Sequence, residues 1–375
     1  MDKLLIIAAK FYNDPTGGGG TVVKNLIDIF IEDFEIDLVL YRTPINDYYT
    51  HENLKTHFHP VFYKRKNKFV RRIINYQYNL DYLIDEYNMD AYIKIIVIHV
   101  SKMFGFEKLD DKHLRKTVLF PMFLSPSYRR SNENVPSKYV SLEQKALNSA
   151  GKIITPSISE KSDMINFYNI DENKLEVVRR GVNELFFQQP RCKMHMPLKL
   201  LVVSTIKEQK NVIEAIYILK KLQDLGLSVN LTIIGRIEST SLYHDIETYI
   251  KLHDLIESVS LIQGVKHNEL AEEMKESDIL ILPSLWETFG RVAYEGLSSG
   301  LSVFVRKGID CFSNLYEKDF VFSYTTVDEA ANLILDLSRN IERYRKVSAA
   351  SINYANNFSS LIESIKLKEV ILCRD

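Results

Sequence analysis

The chain of 375 residues predicts an α/β fold of two doubly wound domains facing across a cleft. Three observations lead there. Strand-like and helix-like runs alternate along most of the chain, and such βαβ alternation calls for parallel sheets covered on both faces. The alternation breaks once, at the polar, proline-containing stretch "FFQQPRCKMHMPLK" (186–199), and then restarts on a fresh strand. Hydrophobic residues make up 46% and charged residues 26%, enough for a sizeable core.

The elements follow in order. KLLIIAA is the first strand, and TVVKNLIDIFIE the first helix, with Val22, Val23, Leu26, Ile27 and Phe30 on one face. IDLVLY (36–41), YIKIIVIHV (92–100), KTVLF (116–120) and KIITPS (152–157) read as strands, and SLEQKALNSA (141–150) as a helix between the last two. After the break come the strand LKLLVVST (198–205) and the amphipathic helix NVIEAIYILKKLQDLGL. VNLTIIG (229–235), VSLIQGV (259–265) and DILILPS (278–284) are further strands, and the chain after 330 is mostly helical. The expected domains are 1–187 and 198–355, with a C-terminal helix, 356–375, that can cross back to the first. A ligand would lie at the strand carboxyl ends.

Bulk properties exclude several classes. A net charge of −1 gives no global field for nucleic acid. Cys192, Cys311 and Cys373 are scattered without C-x-x-C spacing, so neither a zinc site nor a disulfide framework is indicated. The N-terminal apolar run is too short for a signal peptide core, and no run reaches the length of a membrane span. A cytoplasmic location is expected.

Four glycines stand side by side at 17–20, between the first strand and the first helix. A dinucleotide fingerprint fails, because its third glycine position falls on Val22 or Val23, and no Gly-Lys-Ser/Thr follows for a P-loop. What remains is general: glycines let a ligand approach the backbone, and a helix start aims free N–H groups at an anion. A loop without a ligand is the bland alternative.

The stretch "DILILPSLWETFGRVAYEGLSSGLSVFV" (278–305) carries more. A buried strand ends at Pro283-Ser284, then Glu287 and Glu295 stand eight positions apart around Phe289-Gly290. A helix beginning near Gly290 would point its amides back to the strand end as an anion site. Both carboxylates would flank that anion, a layout suited to a phosphate-bearing polyhydroxy ligand. By spacing alone, two solvated charges are the simpler reading.

This stretch resembles the Glu-x7-Glu signature of the retaining glycosyltransferases of family 4, with Pro-Ser before it and "EGLSSGLSV" after it. "LNSAGKIITPSISEKSDMINFYNIDENKLEVVRRGVNELFF" (147–187), "LLVVSTIKEQKNVIEAI" (200–216) and "VSLIQGVKHNELAEEMKESDILILPS" follow in that family's order. The resemblance implies the GT-B fold, two Rossmann-like domains. It implies that Glu295 holds the ribose, that Glu287 holds the transferred sugar and that Lys210 neutralises the departing diphosphate. The backbone at Phe289, Gly290, Arg291 and Val292 would bind that diphosphate, and the backbone of Val265 would read the base. Gly19 and Gly20 would lie near the donor phosphates and the acceptor. Glu287 and Lys210 would then be the catalytic pair. Two departures stand out: Thr205 occupies the position of a common family arginine, with Lys207 or Arg236 as candidate replacements, and Pro121 occupies that of a family histidine. His99, in "IVIHVSK", is either an acceptor-side residue or a structural one. The family reaction is same-face displacement, in which the leaving phosphate takes the acceptor proton. No cofactor and no metal are expected, and no D-x-D motif occurs.

From Asn53 to Leu80 there is no Asp or Glu, while Lys64, Arg65, Lys66, Lys68, Arg71 and Arg72 are interleaved with aromatic and aliphatic residues. Such a patch suits an anionic membrane surface; a solvated basic loop is the alternative. The expected function is transfer of a sugar, from a UDP-linked donor, to a lipid-linked glycan acceptor in bacterial surface polysaccharide synthesis. The protein would sit peripherally on the inner face of the cytoplasmic membrane. The rivals are a non-catalytic glycosyltransferase-like partner and a phosphorolytic or epimerising enzyme of the same fold.

Overall fold

The computed structural model describes residues 1–9, 18–41, 50–59, 67–130 and 132–373. The chain divides into two compact units, one of residues 1–179 with 364–375 and the other of residues 180–363. Each is built on a wholly parallel sheet.

The first sheet holds β1 (Lys3–Ala8), β2 (Glu35–Leu40), β3 (Leu54–Phe58), β4 (Tyr92–Ile98), β5 (Thr117–Phe120), β6 (Lys152–Thr155) and β7 (Leu175–Val177), in the order β3-β2-β1-β4-β5-β6-β7. Its central strands are apolar runs because both faces are covered. Leu5 and Ile7 of β1 pack into one core, with Leu119 and Ile153, while Leu4, Ile6 and Ala8 pack into the other, with Val22, Leu26 and Phe30. That is the two-residue period of a strand, satisfied on both sides. The helix Gly18–Phe30 supplies part of the second face. Leu367 and Ile371, one turn apart on the helix Ser360–Leu372, are fully buried in that same core, and Lys368 of this helix pairs with Asp33.

The second sheet holds β8 (Leu198–Val203), β9 (Val229–Ile234), β10 (Val259–Ile262), β11 (Ile279–Leu282), β12 (Ser302–Arg306) and β13 (Val321–Tyr324), in the order β10-β9-β8-β11-β12-β13. Leu198, Leu200 and Val202 face one core and Leu201 the other; Ile279 and Ile281 split from Leu280 and Leu282 in the same way. In each sheet the order reverses beside the first strand of the unit, at β1/β4 and at β8/β11. Doubly wound sheets take their ligands at the carboxyl ends of such strands.

The expected strands are present at their expected places. Four more were not expected: β3, β7, β12 and β13, of five, three, five and four residues. β3 and β7 are edge strands, and β3 has no fully buried residue, so neither shows a long apolar run. The first domain also ends earlier than the expected 187. Residues 180–187 belong to the second unit because Val182 exchanges backbone hydrogen bonds with Phe358 and Ser360, at 2.7 and 2.9 Å, and Phe186 is fully buried in that unit's core. Arg191 carries the tether on by donating to the carbonyls of Met274, Lys275 and Ser299.

One buried group makes the first unit pH-sensitive. Glu143 is wholly buried, and its Oε2 accepts from the Ser125 hydroxyl and from Tyr168 Oη at 2.5 Å. Its Oε1 has no hydrogen-bond partner among the described residues. Burial outweighs those hydrogen bonds and pushes the carboxyl from its ordinary 4.5 up to about 7. The folded state therefore binds the proton more tightly than the unfolded chain. The resulting penalty is absent below about pH 4.5, grows as pH rises, and is complete above about pH 7, reaching about 3 kcal/mol. Chemical unfolding across that window is expected to show stability falling with pH, with a shallower slope in Glu143→Gln; an unchanged slope would refute the assignment.

Candidate active site

At the β8/β11 reversal, two loops are stitched together. The loop after β8 carries a short helical turn, Glu208–Lys210, and the loop after β11 runs from Pro283 to Gly290. Leu285 N–H donates to Gln209 O at 2.8 Å, and Gln209 Nε2 donates back to Trp286 O at 2.9 Å. These bonds bring Lys210 Nζ onto Glu287 Oε1, which also accepts from Ser284 Oγ at 2.8 Å. The Lys210 and Glu287 side chains keep only 20% and 12% of their exposure. An ammonium group has three N–H donors, so one given to Glu287 leaves two for a ligand.

The helix Arg291–Ser298 starts immediately beyond, as the sequence predicts, with Gly290 as its N-cap. Gly290 has φ +69°, and a Cβ there would lie 2.3 Å from the Phe312 ring. Glycine is thus required twice over, by conformation and by space. No side chain caps this helix; Ala293 N–H is taken by Gly290 O at 2.9 Å, while the amides of Arg291 and Val292 have no intrahelical acceptor. Their partial positive charge favours an anion. Glu295, in the second turn, is 6% exposed. Burial raises its carboxyl pKa, opposed by Arg291 and His267.

The expected donor-side residues of the second unit fall at several places. Lys210 and Glu287 are in contact, while Gly290, Arg291, Val292 and Glu295 share one helix start. Phe289 offers its backbone only, since its ring is buried and stacked on Tyr294 with centroids 5.0 Å apart. Val265 follows Gly264, whose φ is +65°, and directly precedes Lys266, the N-cap of the helix His267–Lys275. Thr205 lies just past β8, where Ile206 N–H donates to Arg236 O at 2.8 Å. Lys207 has Glu238 3.8 Å away, whereas Arg236 is exposed and no carboxylate pairs with it among the described residues. Ser284 and Gln209 were not assigned roles from the sequence. Ser284 stood inside the quoted Pro-Ser pair, and nothing in the sequence marked Gln209.

On the first unit, Gly19 and Gly20 belong to the opening turn of the helix Gly18–Phe30, not to a loop before it, and Gly17 lies outside the described residues. Of the basic patch, Lys64, Arg65 and Lys66 lie outside the described residues. Lys68 and Arg72 have partners within the first unit. Lys68 pairs with Glu133 at 2.6 Å, and Arg72 turns inward to donate to Tyr128 Oη and Tyr139 Oη, both at 3.0 Å. Both residues sit on the helix Lys68–Glu86, where side chains four apart share a face; Arg71, also on it, is half-buried. No helix among the described residues is long and apolar enough to cross a membrane.

Two family models match in tandem: Glycosyltransferase Family 4 over residues 16–184 and Glycosyl transferases group 1 over residues 185–354. The chain belongs to the family 4 type of glycosyltransferases. Among curated relatives of this family, it is 30% identical over 146 residues to the amylovoran biosynthesis glycosyltransferase AmsK of Erwinia amylovora, covering 38% of this chain and 34% of that protein. It is 23% identical over 221 residues to a D-inositol 3-phosphate glycosyltransferase of an Arthrobacter strain, covering 55% and 50%. The matched regions thus span from a third to a half of those relatives' lengths. Among solved structures, sucrose-phosphate synthase from Thermosynechococcus elongatus superposes with a TM-score of 0.79 at 16% identity, over 99% of this chain and 98% of that one. Anabaena Alr3699/HepE, crystallised with UDP and glucose, superposes at 0.75 with 14% identity over 99% of both chains. These superpositions establish the GT-B fold, two Rossmann-like domains.

Proposed function

We propose that the chain is a retaining glycosyltransferase that moves a sugar from a nucleoside diphosphate, UDP in the first instance, to a glycan acceptor. The observation that carries the reading is the cluster at the β8/β11 reversal: Lys210 on Glu287, Ser284 behind them, and an uncapped helix start beside them. Negative charge develops on the diphosphate as the sugar leaves, and pre-oriented donors aimed at that charge lower the barrier. In the proposed mechanism Lys210 and the amides after Gly290 supply those donors, and Arg236 supplies the charge that Thr205 lacks. Glu287 accepts hydroxyls of the transferred sugar. Glu295 accepts the ribose hydroxyls, which would satisfy a buried carboxylate that has no hydrogen bond from any described residue. The leaving phosphate takes the acceptor proton, so the step asks for neither an enzymic nucleophile nor a metal. The UDP and glucose held by the Anabaena relative support the choice of donor. Synthesis of a surface polysaccharide is the setting that the Erwinia relative suggests.

Thermal unfolding against UDP, GDP, ADP, CMP and NAD tests the reading. A ligand at ~100 times its Kd adds about 2.7 kcal/mol, or roughly 5–10 °C for a domain of this size. One nucleoside diphosphate is expected to give that rise in the wild type and none in Glu295→Ala. A flat response to all five would favour the non-catalytic partner, for which the substitution at Thr205 already speaks.

A further inference from the structure

Lys210 stands one residue before a backbone conformation that few side chains accept. Asn211 has φ +47°, in the left-handed region that asparagine tolerates better than most residues, though at a cost. It closes the turn Glu208–Lys210, its N–H donating to Glu208 O at 3.1 Å, and Val212 then caps the helix Ile213–Asp224. Two bonds to that helix hold Asn211 in place. Its Nδ2 donates to Glu214 Oε2 at 3.0 Å, and Glu214 N–H donates back to Asn211 O at 3.0 Å.

Glu214 is in turn fixed from a different strand. Arg306, the last residue of β12, donates through Nη1 to the same Oε2. The Glu214 and Arg306 side chains keep 12% and 28% of their exposure. A carboxylate so far buried is costly without its cation, and that cost keeps the pair closed. β12 is the sheet neighbour of β11, whose following loop carries Glu287. Lys210 is therefore bracketed. On one side Gln209 Nε2 ties the turn to Trp286 O at 2.9 Å, in the loop after β11. On the other, Asn211 ties it through Glu214 to the end of β12. All of these groups lie in the second unit.

We infer that Arg306, Glu214 and Asn211 are positioning residues for Lys210: they fix the backbone from which the lysine reaches Glu287, and so the direction of the two N–H donors that Glu287 leaves over. The effect on turnover rests on the transferase reading, whereas the brace itself rests on bonds within the second unit. Misplacement of a reacting group by 1 Å costs about 10²-fold in rate, so a brace of three side chains, none of which need touch the donor, matters to the chemistry. An ion pair that merely joined helix to sheet would act on stability alone.

The test measures release of UDP from UDP-glucose by the full chain. Arg306→Met and Asn211→Gly are each expected to lower kcat roughly ten- to hundredfold, with KM changed less than about twofold. Glycine accepts the left-handed backbone without strain, so Asn211→Gly removes the side-chain bond alone and guards against a folding defect in Arg306→Met. Arg306→Lys, which can still pair with Glu214, is expected to recover most of the loss. In a Lys210→Ala background neither substitution is expected to lower kcat further, because each acts through the lysine. An equal fall in both backgrounds would overturn the assignment. So would a rise in KM at unchanged kcat, which would put Arg306 on the donor itself. Acetylation of Lys210 by acetic anhydride, read by peptide mass spectrometry, follows the brace without turnover. Labelling about tenfold faster is expected in both variants, as loss of the opposite charge frees the neutral amine. Faster labelling where even the wild type leaves UDP-glucose intact would uphold the brace and remove the reading of the donor. Unchanged labelling beside normal wild-type turnover would remove the brace alone.

Discussion

Replacing Lys210 with alanine is expected to lower sugar transfer by roughly 10²–10³-fold, the usual cost of removing one donor aimed at developing negative charge. In that proposed role the side chain is held by geometry that survives the substitution. Gln209 and Leu285 bond through the backbone, and Gln209 also reaches Trp286 O, so the two loops stay joined without Lys210. The variant has a second consequence, because Ser284 is then the one side chain among the described residues that still donates to the mostly buried Glu287 carboxylate. An unpaired buried charge destabilises. The two effects separate in a double-mutant cycle. Lys210→Ala with Glu287→Ala is expected to recover stability and to leave transfer as low as either single variant, because both groups act in one step. Turnover is read with UDP-sugar under single-turnover conditions, and stability by chemical unfolding. Wild-type turnover in Lys210→Ala would remove the lysine from the mechanism.

Gly235→Ala is expected to be the most damaging small substitution in the second unit. A Cβ at Gly235 would stand 1.8 Å from Ser204 O and 3.1 Å from Thr205 N, both backbone atoms. Neither side can yield easily. Gly235 N–H is bonded to Ile262 O at 2.9 Å, and Ser204 N–H to Ile234 O at 2.9 Å. The added methyl must therefore push apart the carboxyl ends of β8 and β9, with a cost of roughly 3 kcal/mol or more and a fall of about 10 °C in Tm. The same shift displaces Thr205 and Lys207, so nucleotide binding should weaken too. Gly226→Ala is the control: its φ is +81°, but the space around it is open, so it should cost only about 1–2 kcal/mol of backbone strain. A Tm drop in Gly235→Ala no larger than in Gly226→Ala would refute the steric argument.

The alternation of apolar runs was enough to determine, from sequence alone, two parallel-sheet domains and the strand ending at Pro283-Ser284. Buried parallel strands need continuous hydrophobic residues on both faces, and that requirement is written residue by residue in Leu4 to Ala8 or Ile279 to Leu282. The helix start at Gly290 was legible for a similar reason, since a positive φ beside a packed ring leaves little choice but glycine. Local signals of that kind do not reach across the chain. That Lys210 meets Glu287 depends on β8 lying beside β11, a pairing of strands far apart in sequence. That Arg72 turns inward depends on Tyr128 and Tyr139, which sequence distance hides. A run of basic residues looks the same on paper whether it faces solvent, a membrane or a buried ring of phenols; only packing decides which, because the cost of burying each charge is set by the partners that the fold brings to it.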